Sequence, residues 1–296
     1  MKHTLATLAF VLLSSMGFAA DAPRMLGFER NGAVWVAKAD GTGAKKIAAG
    51  ADPDISPDGT RLAFTLNGGK DGPERTIAVA DIATGKVTVL KGQIPSDNCF
   101  RPVWSPTGAK ILFNIYTDND WHLGLISADG TTFGYFKKAT TKNVSSWSAC
   151  WAPDGRSVYV QDLTKISQLG PDGAELKSWT LDAFIPKGSF SSASHLAVSP
   201  DGGMLLMDVE MDEIVKRKGW EGPPPALWTL DLATQKATRL TPKGFFGWGG
   251  CWIGPGEIVF VSQAIGEVDA SLSRMSLGGK DRKVILKKAN APSVSR

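Results

Sequence analysis

The chain of 296 residues holds only three cysteines and three histidines. Zinc takes three or four His, Cys or carboxylate ligands, so so few soft side chains argue against a metal centre. No Cys-x-x-Cys pair, His-Glu-x-x-His helix signature or Gly-x-Ser-x-Gly elbow occurs, which removes the usual redox, zinc-protease and hydrolase motifs. Gly41-Thr42-Gly43 lacks the third glycine of a dinucleotide loop and reads as a hairpin turn. Charge of one sign is also scarce. The formal net charge is +4, and Lys137-Lys138 and Lys287-Lys288 are pairs rather than patches. Nucleic-acid binding would need a clustered basic face, so no nucleic-acid partner is expected. Long apolar runs are missing too. The run from Leu5 to Leu13 falls well short of the roughly 20 residues of a membrane-spanning helix.

That run has a different meaning. Lys2 and His3 precede it, and Gly17-Phe18-Ala19 places small residues at the two positions a signal peptidase reads. Residues 1–19 are expected to be a cleaved secretory signal, leaving 20–296 as a single periplasmic or secreted domain. No cysteine follows the cleavage point to carry a lipid. Cys99, Cys150 and Cys251 remain, an odd number, so at least one stays unpaired in an oxidising compartment. All three read as small buried residues.

Turn formers, in contrast, are plentiful, with 33 glycines and 17 prolines. They recur with a period. Five segments share one form: Pro53-Asp54-Ile55-Ser56-Pro57-Asp58-Gly59, Pro102-Val103-Trp104-Ser105-Pro106-Thr107-Gly108, Ala149-Cys150-Trp151-Ala152-Pro153-Asp154-Gly155, Leu196-Ala197-Val198-Ser199-Pro200-Asp201-Gly202 and the degenerate Gly250-Cys251-Trp252-Ile253-Gly254-Pro255-Gly256. Their prolines lie 49, 47, 47 and 55 residues apart. An apolar or alternating run follows each, as in Arg61 to Leu66 or Met204 to Val209, then a further strand, a turn and a short fourth strand. The second turn falls at Asp40-Gly41, Thr84-Gly85, Asp129-Gly130, Asp172-Gly173, Thr234-Gln235 and Gly278-Gly279, where residues tolerant of positive φ are needed.

Six second turns but five landmarks imply that the first unit lacks its innermost strand. Pro292-Ser293-Val294-Ser295 matches Pro53-Asp54-Ile55-Ser56 in pattern. The C-terminal segment is therefore expected to supply the missing strand and close the ring, which removes open sheet edges. Four-stranded units of roughly 46 residues are propeller blades. The fold class is all-β: a six-bladed β-propeller closed by pairing of the C-terminal strand with the N-terminal blade.

The phrases Ile55-Ser56-Pro57-Asp58-Gly59, Trp104-Ser105-Pro106-Thr107-Gly108, Trp151-Ala152-Pro153-Asp154-Gly155 and Val198-Ser199-Pro200-Asp201-Gly202 resemble the TolB-type propeller repeat, over nearly the whole mature chain. That resemblance implies the propeller fold. It also implies a binding or scaffold protein with an envelope protein as partner, although the same repeat occurs in peptidase and lyase propellers.

Trp104, Trp151 and Trp252 share one register and are expected to fill the wedges between blades, since aromatic side chains supply large buried area. A site is expected instead where the repeat has drifted, at the start of each innermost strand. There Asp52, Arg101, Ser148, His195 and Gly249 align, with Ala51, Phe100, Trp147, Ser194 and Trp248 one step earlier. Asp52 and Arg101, on adjacent blades, could simply form a structural bridge. The candidate binding set is Asp52, Phe100, Arg101, Trp147, His195 and Trp248. To these is added Trp220, in the long loop from Met211 to Pro225 with Lys216, Arg217 and Lys218, because elaborated loops on rigid scaffolds carry contacts. No catalytic residue, metal ligand or cofactor is assigned. Asp118-Asn119-Asp120 and the acids from Asp208 to Glu213 could offer oxygen ligands to calcium, but they lack the spaced loop that calcium favours and read as solvated turns. The alternative function is a lyase or hydrolase acting on a glycan, with His195 or Arg101 as acid–base or charge-stabilising group.

Overall fold

The computed structural model describes residues 24–68, 74–91, 94–137, 148–213, 222–264 and 266–296. The signal-sequence expectation for residues 1–19 lies outside them. Six antiparallel sheets, here blades 1 to 6, form a six-bladed β-propeller. Blade 1 is composite: Asn290–Val294 forms its innermost strand beside Met25–Arg30, Ala33–Lys38 and Lys45–Ala49. Leu26 pairs with Val294 and Gly27 with Ser293, so the chain ends are joined as the sequence pattern implies. Innermost strands of the other blades are Ala51–Ile55, Cys99–Trp104, Cys150–Trp151, Leu196–Val198 and Phe246–Gly254.

Each blade packs between two others, so its middle strands are buried on both faces and read as continuous apolar runs. Leu62, Ala63 and Phe64 of Arg61–Asn67 are fully buried, whereas the outer strand Val87–Val89 is exposed throughout. The apolar side chains gather in six clusters, one at each seam. Trp104, 1% exposed, joins Ala63 and Ile77 of blade 2 to Ile111 and Phe113 of blade 3. Trp151 does the same between blades 3 and 4, and Trp252 between blades 5 and 6. Two of these indoles also hold a neighbouring carbonyl: Trp252 Nε1 donates to Ala197 O at 2.9 Å and Trp151 Nε1 to Val103 O at 3.4 Å. The wedge role expected for these tryptophans is what the packing shows.

The repeated Ser-Pro-Asp-Gly phrase is a corner held by its own side chains. Ser56 Oγ donates to Asp58 Oδ1 at 2.5 Å and accepts the Arg61 amide at 2.9 Å. Ser199, Asp201 and the Met204 amide repeat the set, and in blade 3 Thr107 stands in for the aspartate. At the turns between the third and fourth strands, on the same face as the corners, Gly41, Gly85, Gly130, Gly173, Gln235 and Gly279 all have positive φ. The three thiols are free: Cys99 and Cys150 are buried and Cys251 is half-buried. Burial pushes the Cys99 and Cys150 thiols up to about 12 and raises that of Cys251, so none is a ready thiolate.

Candidate functional site

A cavity of about 410 Å³ runs along the propeller axis. At one mouth it is lined by Asp52, Arg101, Ser148, His195, Gly249 and Ala291, one residue from each blade at a single register. Toward the other end stand Pro57, Pro106, Pro153 and Pro200 of the corners, with Arg24 and Arg296.

Four of the six register residues sit in the left-handed region: Asp52 at φ 48°, Arg101 at 58°, Gly249 at 57° and Ala291 at 46°. Each marks a one-residue bulge. Ala51 pairs with Thr65 and Asp54 with Ala63, Phe100 with Asn114 and Val103 with Leu112, and Trp248 with Val261 and Cys251 with Val259. The composite blade repeats the step between Asn290 and Ser293. A bulge re-aims a side chain and leaves an amide out of the ladder. For the non-glycine residues the left-handed conformation costs about 1–2 kcal/mol each.

The stranded amides are met by polar side chains from the preceding blade. Glu29 Oε1 accepts the Asp52 amide at 2.5 Å, Thr65 Oγ1 accepts the Arg101 amide at 3.0 Å, and Asp208 Oδ1 accepts the Gly249 amide at 3.1 Å. These three occupy one register in the second strands of blades 1, 2 and 5. This ring was missed in the sequence. Its signal was a single polar residue breaking an apolar run, as in Phe64-Thr65-Leu66 and Met207-Asp208-Val209. Blade 6 has Val261 at the equivalent place, and the Ala291 amide of blade 1 gains no such partner from it.

Blade 5 departs from the pattern. Ser189 pairs with Glu210 and Leu196 with Met207, so six residues, Phe190 to His195, stand opposite two. This excursion carries the carbonyls of Ser192 and Ala193 across to Arg101 of blade 3, at 3.4 Å from Nη1 and 3.5 Å from Nη2. Ser148 Oγ lies 3.5 Å from Nη1. All three contacts are at the long end of hydrogen bonding. Among the described residues Arg101 Nε has no hydrogen-bond partner. Among the described residues the guanidinium makes no ion pair. The structural bridge to Asp52 does not form; the Asp52 carboxylate instead accepts the Thr65 hydroxyl at 2.9 Å.

Electrostatics at the mouth follow from this burial. Desolvation lowers the Arg101 guanidinium below its usual range, against the pull of Asp52, Asp208 and Glu29. Burial, then the neighbouring Arg101, hold His195 down to about 3, so it is neutral at pH 7. Its Nδ1 lies 4.0 Å from Asp208 Oδ1 and lacks a hydrogen bond. The imidazole keeps a third of its exposure, toward the channel. Burial pushes Asp208 up to about 7 even though it accepts the His195 and Gly249 amides. Burial also raises Glu29, and it lifts Asp54, deeper in the channel, to about 7 against the pull of the Trp104 amide at 2.6 Å.

Of the residues singled out in the sequence, Asp52, Arg101 and His195 converge on the cavity. Phe100 and Trp248 do not line it, because alternate residues of a strand face opposite ways. Phe100 lies edge-on to Trp121 at 5.0 Å with the Arg75 guanidinium 4.3 Å above it, and Trp248 packs on the seam between blades 6 and 1. Trp147 and Trp220 lie outside the described residues. The base of the Trp220 loop is clamped by an ion pair between Glu213 and Arg239. Asp118 and Asn119, both at positive φ, form a two-residue hairpin turn between Thr117 and Asp120, and Glu213 is committed to Arg239. Among the described residues no three His, Cys, Asp or Glu side chains gather as a cation site.

No protein-family model matches the chain, and no curated protein matches its sequence. Solved structures share its fold. TolB from Acinetobacter baumannii superposes with a TM-score of 0.65 at 17% identity, over 92% of this chain. This chain spans 66% of that TolB chain. A chain in the crystal structure of a nidogen/laminin complex gives a TM-score of 0.65 at 13% identity, covering 92% of this chain and 98% of that one. The β-propeller domain of the trilobed protease from Pyrococcus furiosus, described as having an open velcro topology, gives 0.52 at 15% identity, over 85% of this chain and 73% of that one. Here the ring is closed by the C-terminal strand.

Proposed function

We propose that this protein is an exported binding module whose channel mouth, formed around Asp52, Arg101, Ser148 and His195, receives a segment of a protein partner in the cell envelope. One observation carries the reading: the six blades bring six chemically different residues, at one register, onto a single cavity of about 410 Å³. A merely structural ring would repeat its residues as the corners do. Three strained left-handed residues other than glycine are kept there, and strain of this kind concentrates at functional sites. The fold neighbours support the reading by kind, since one of them is seen in a protein–protein complex. Export is proposed from Lys2, the apolar run and Gly17-Phe18-Ala19. Among the described residues no helix is long and apolar enough to cross a membrane. The loop around Trp220 is proposed to widen the contact.

The test is capture from an envelope extract on immobilised protein from Ala20 to Arg296. A protein retained by the native form and by Lys236→Glu, on the far face, but lost with Arg101→Glu supports the reading. Retention indifferent to Arg101→Glu overturns the channel mouth as the contact.

A further inference from the structure

We propose that the group the channel mouth receives is a carboxylate, either an aspartate or glutamate side chain or a C-terminal carboxylate, held by Arg101 with His195 beside it. This rests on the reading of the mouth as a protein-binding surface and names the chemistry of what enters.

The argument starts from Arg101. A guanidinium carries five N–H donors in a planar fork that matches a carboxylate with two parallel hydrogen bonds. Among the described residues Nη1 and Nη2 reach only two carbonyls and a hydroxyl, all at 3.4–3.5 Å, and Nε reaches nothing. A half-buried cation with no carboxylate in contact is unfavourable, and a well-placed partner offsets the loss. No carboxylate of the described residues comes within ion-pair distance of Arg101. A second under-satisfied group lies in the same cavity: His195 Nδ1 is buried and has no hydrogen bond among the described residues, although the Ala193 backbone acts on the ring. The two are on blades 3 and 5, and the Phe190 to His195 excursion brings them close enough for Arg101 to act on His195 through space.

The protein's own acids are already committed. Asp52 accepts the Thr65 hydroxyl, Glu29 accepts the Asp52 amide, and Asp208 accepts two amides. All three are close enough to act on Arg101 through space, so when ionised they oppose an incoming carboxylate. Deeper in the cavity stand Asp54, Arg24 and Arg296, and there Arg296 acts on Asp54 through space. Of the acids that act on Arg101, burial raises Glu29 and raises Asp208 to about 7, whereas Arg101 keeps its charge and His195 stays neutral. Acidification from pH 8 to pH 6 therefore removes negative charge around Arg101 while the ligand carboxylate stays ionised. Binding should tighten in that direction.

The probe is sodium acetate, with sodium chloride at equal ionic strength as its control. In the native protein from Ala20 to Arg296, the Arg101 Nε–Hε resonance should move saturably with acetate and not with chloride, with affinity rising about threefold or more from pH 8 to pH 6. Acetate should also raise the thermal midpoint of the native protein, less that of Arg101→Lys, and not that of Arg101→Gln. Equal shifts with chloride, a midpoint rise that persists in Arg101→Gln, or tighter binding at pH 8 would overturn the proposal. Native-protein resonances need no variant, so misfolding of Arg101→Gln does not blunt the test. Acetate binding without any captured partner would keep the carboxylate site and sink the protein-binding reading. Capture lost with Arg101→Glu, but with no acetate-dependent shift in the native protein, would do the reverse.

Discussion

Replacing Thr65 by valine should uncouple blades 2 and 3 at the channel mouth. The side chain is 1% exposed, and its hydroxyl makes two contacts: it accepts the Arg101 amide at 3.0 Å and donates to Asp52 Oδ2 at 2.9 Å. Valine has nearly the same shape, so packing changes little. What changes is that the bulge amide of Arg101 has no ladder partner and becomes a buried orphan, at a cost of about 1–3 kcal/mol. The Asp52 carboxylate loses a donor, and a hydrogen bond to a charged group contributes about 1.5–3 kcal/mol. Part of that second loss is recovered by water at the mouth, so the expected total is about 3 kcal/mol. Thr65→Ser keeps the hydroxyl and loses one buried methyl, at about 1 kcal/mol. At roughly 2–4 °C per kcal/mol for a chain of this size, the valine variant should melt roughly 6–12 °C below the native protein and the serine variant roughly 2–4 °C below it. Thermal unfolding followed by circular dichroism measures both. If valine costs no more than serine, the Arg101 amide is satisfied by something other than Thr65 and the inter-blade tether is wrong.

The pH dependence of stability gives a second check. Asp208 and Asp54 are raised to about 7 from 3.8, so the native state holds protons the unfolded chain has released. Their contribution is therefore present below about pH 4 and is lost as pH rises through about 7. Asp208→Asn keeps an acceptor for the His195 and Gly249 amides and removes the titration. Its urea midpoint should fall less than the native one between pH 5 and pH 8; an equal or steeper fall contradicts the assignment. At the closure, a Cβ on Gly27 would meet Ser293 Oγ at 2.6 Å and Ile55 Cγ1 at 3.1 Å. Gly27→Ala should wedge the C-terminal strand away and cost about 1–3 kcal/mol, read by denaturation and by faster amide exchange at Val294; unchanged exchange there would argue against the tight seam. Removing residues 290–296 should go further, baring Leu26 and Phe28 and turning a monodisperse protein into aggregates on size-exclusion chromatography.

Blade number, turns, corners and the closing strand were all legible in the sequence because each is local chemistry repeated. Ser56 and Asp58, or the positive-φ glycines, act within a few residues of themselves, so a period of about 47 residues exposes them. The seam tryptophans were legible for the same reason. The channel register was legible only as a position. Alignment of Asp52, Arg101, Ser148, His195 and Gly249 placed them at the start of each innermost strand, and the structure turns them onto one cavity. Phe100 and Trp248, one residue earlier, looked equally suited to that role. The pleat turns them away, and a periodicity of 2 cannot by itself tell which face of an innermost strand meets the axis.

The sequence by itself determined the fold, because the repeat encodes blades one at a time and closure needs only a matching strand at the other end. Tertiary structure alone decided what the mouth can do. Whether Arg101 pairs with Asp52 or stands unpaired depends on how the bulges aim the two side chains, which leaves Asp52 on the Thr65 hydroxyl and Arg101 on blade 5 carbonyls. The carbonyls facing Arg101 come from a blade two positions away, carried there by an excursion that no repeat announces. Burial and charge then set Asp208 and His195 far from their ordinary titration. Those are sums over residues from several blades, and such sums exist only once the ring has closed.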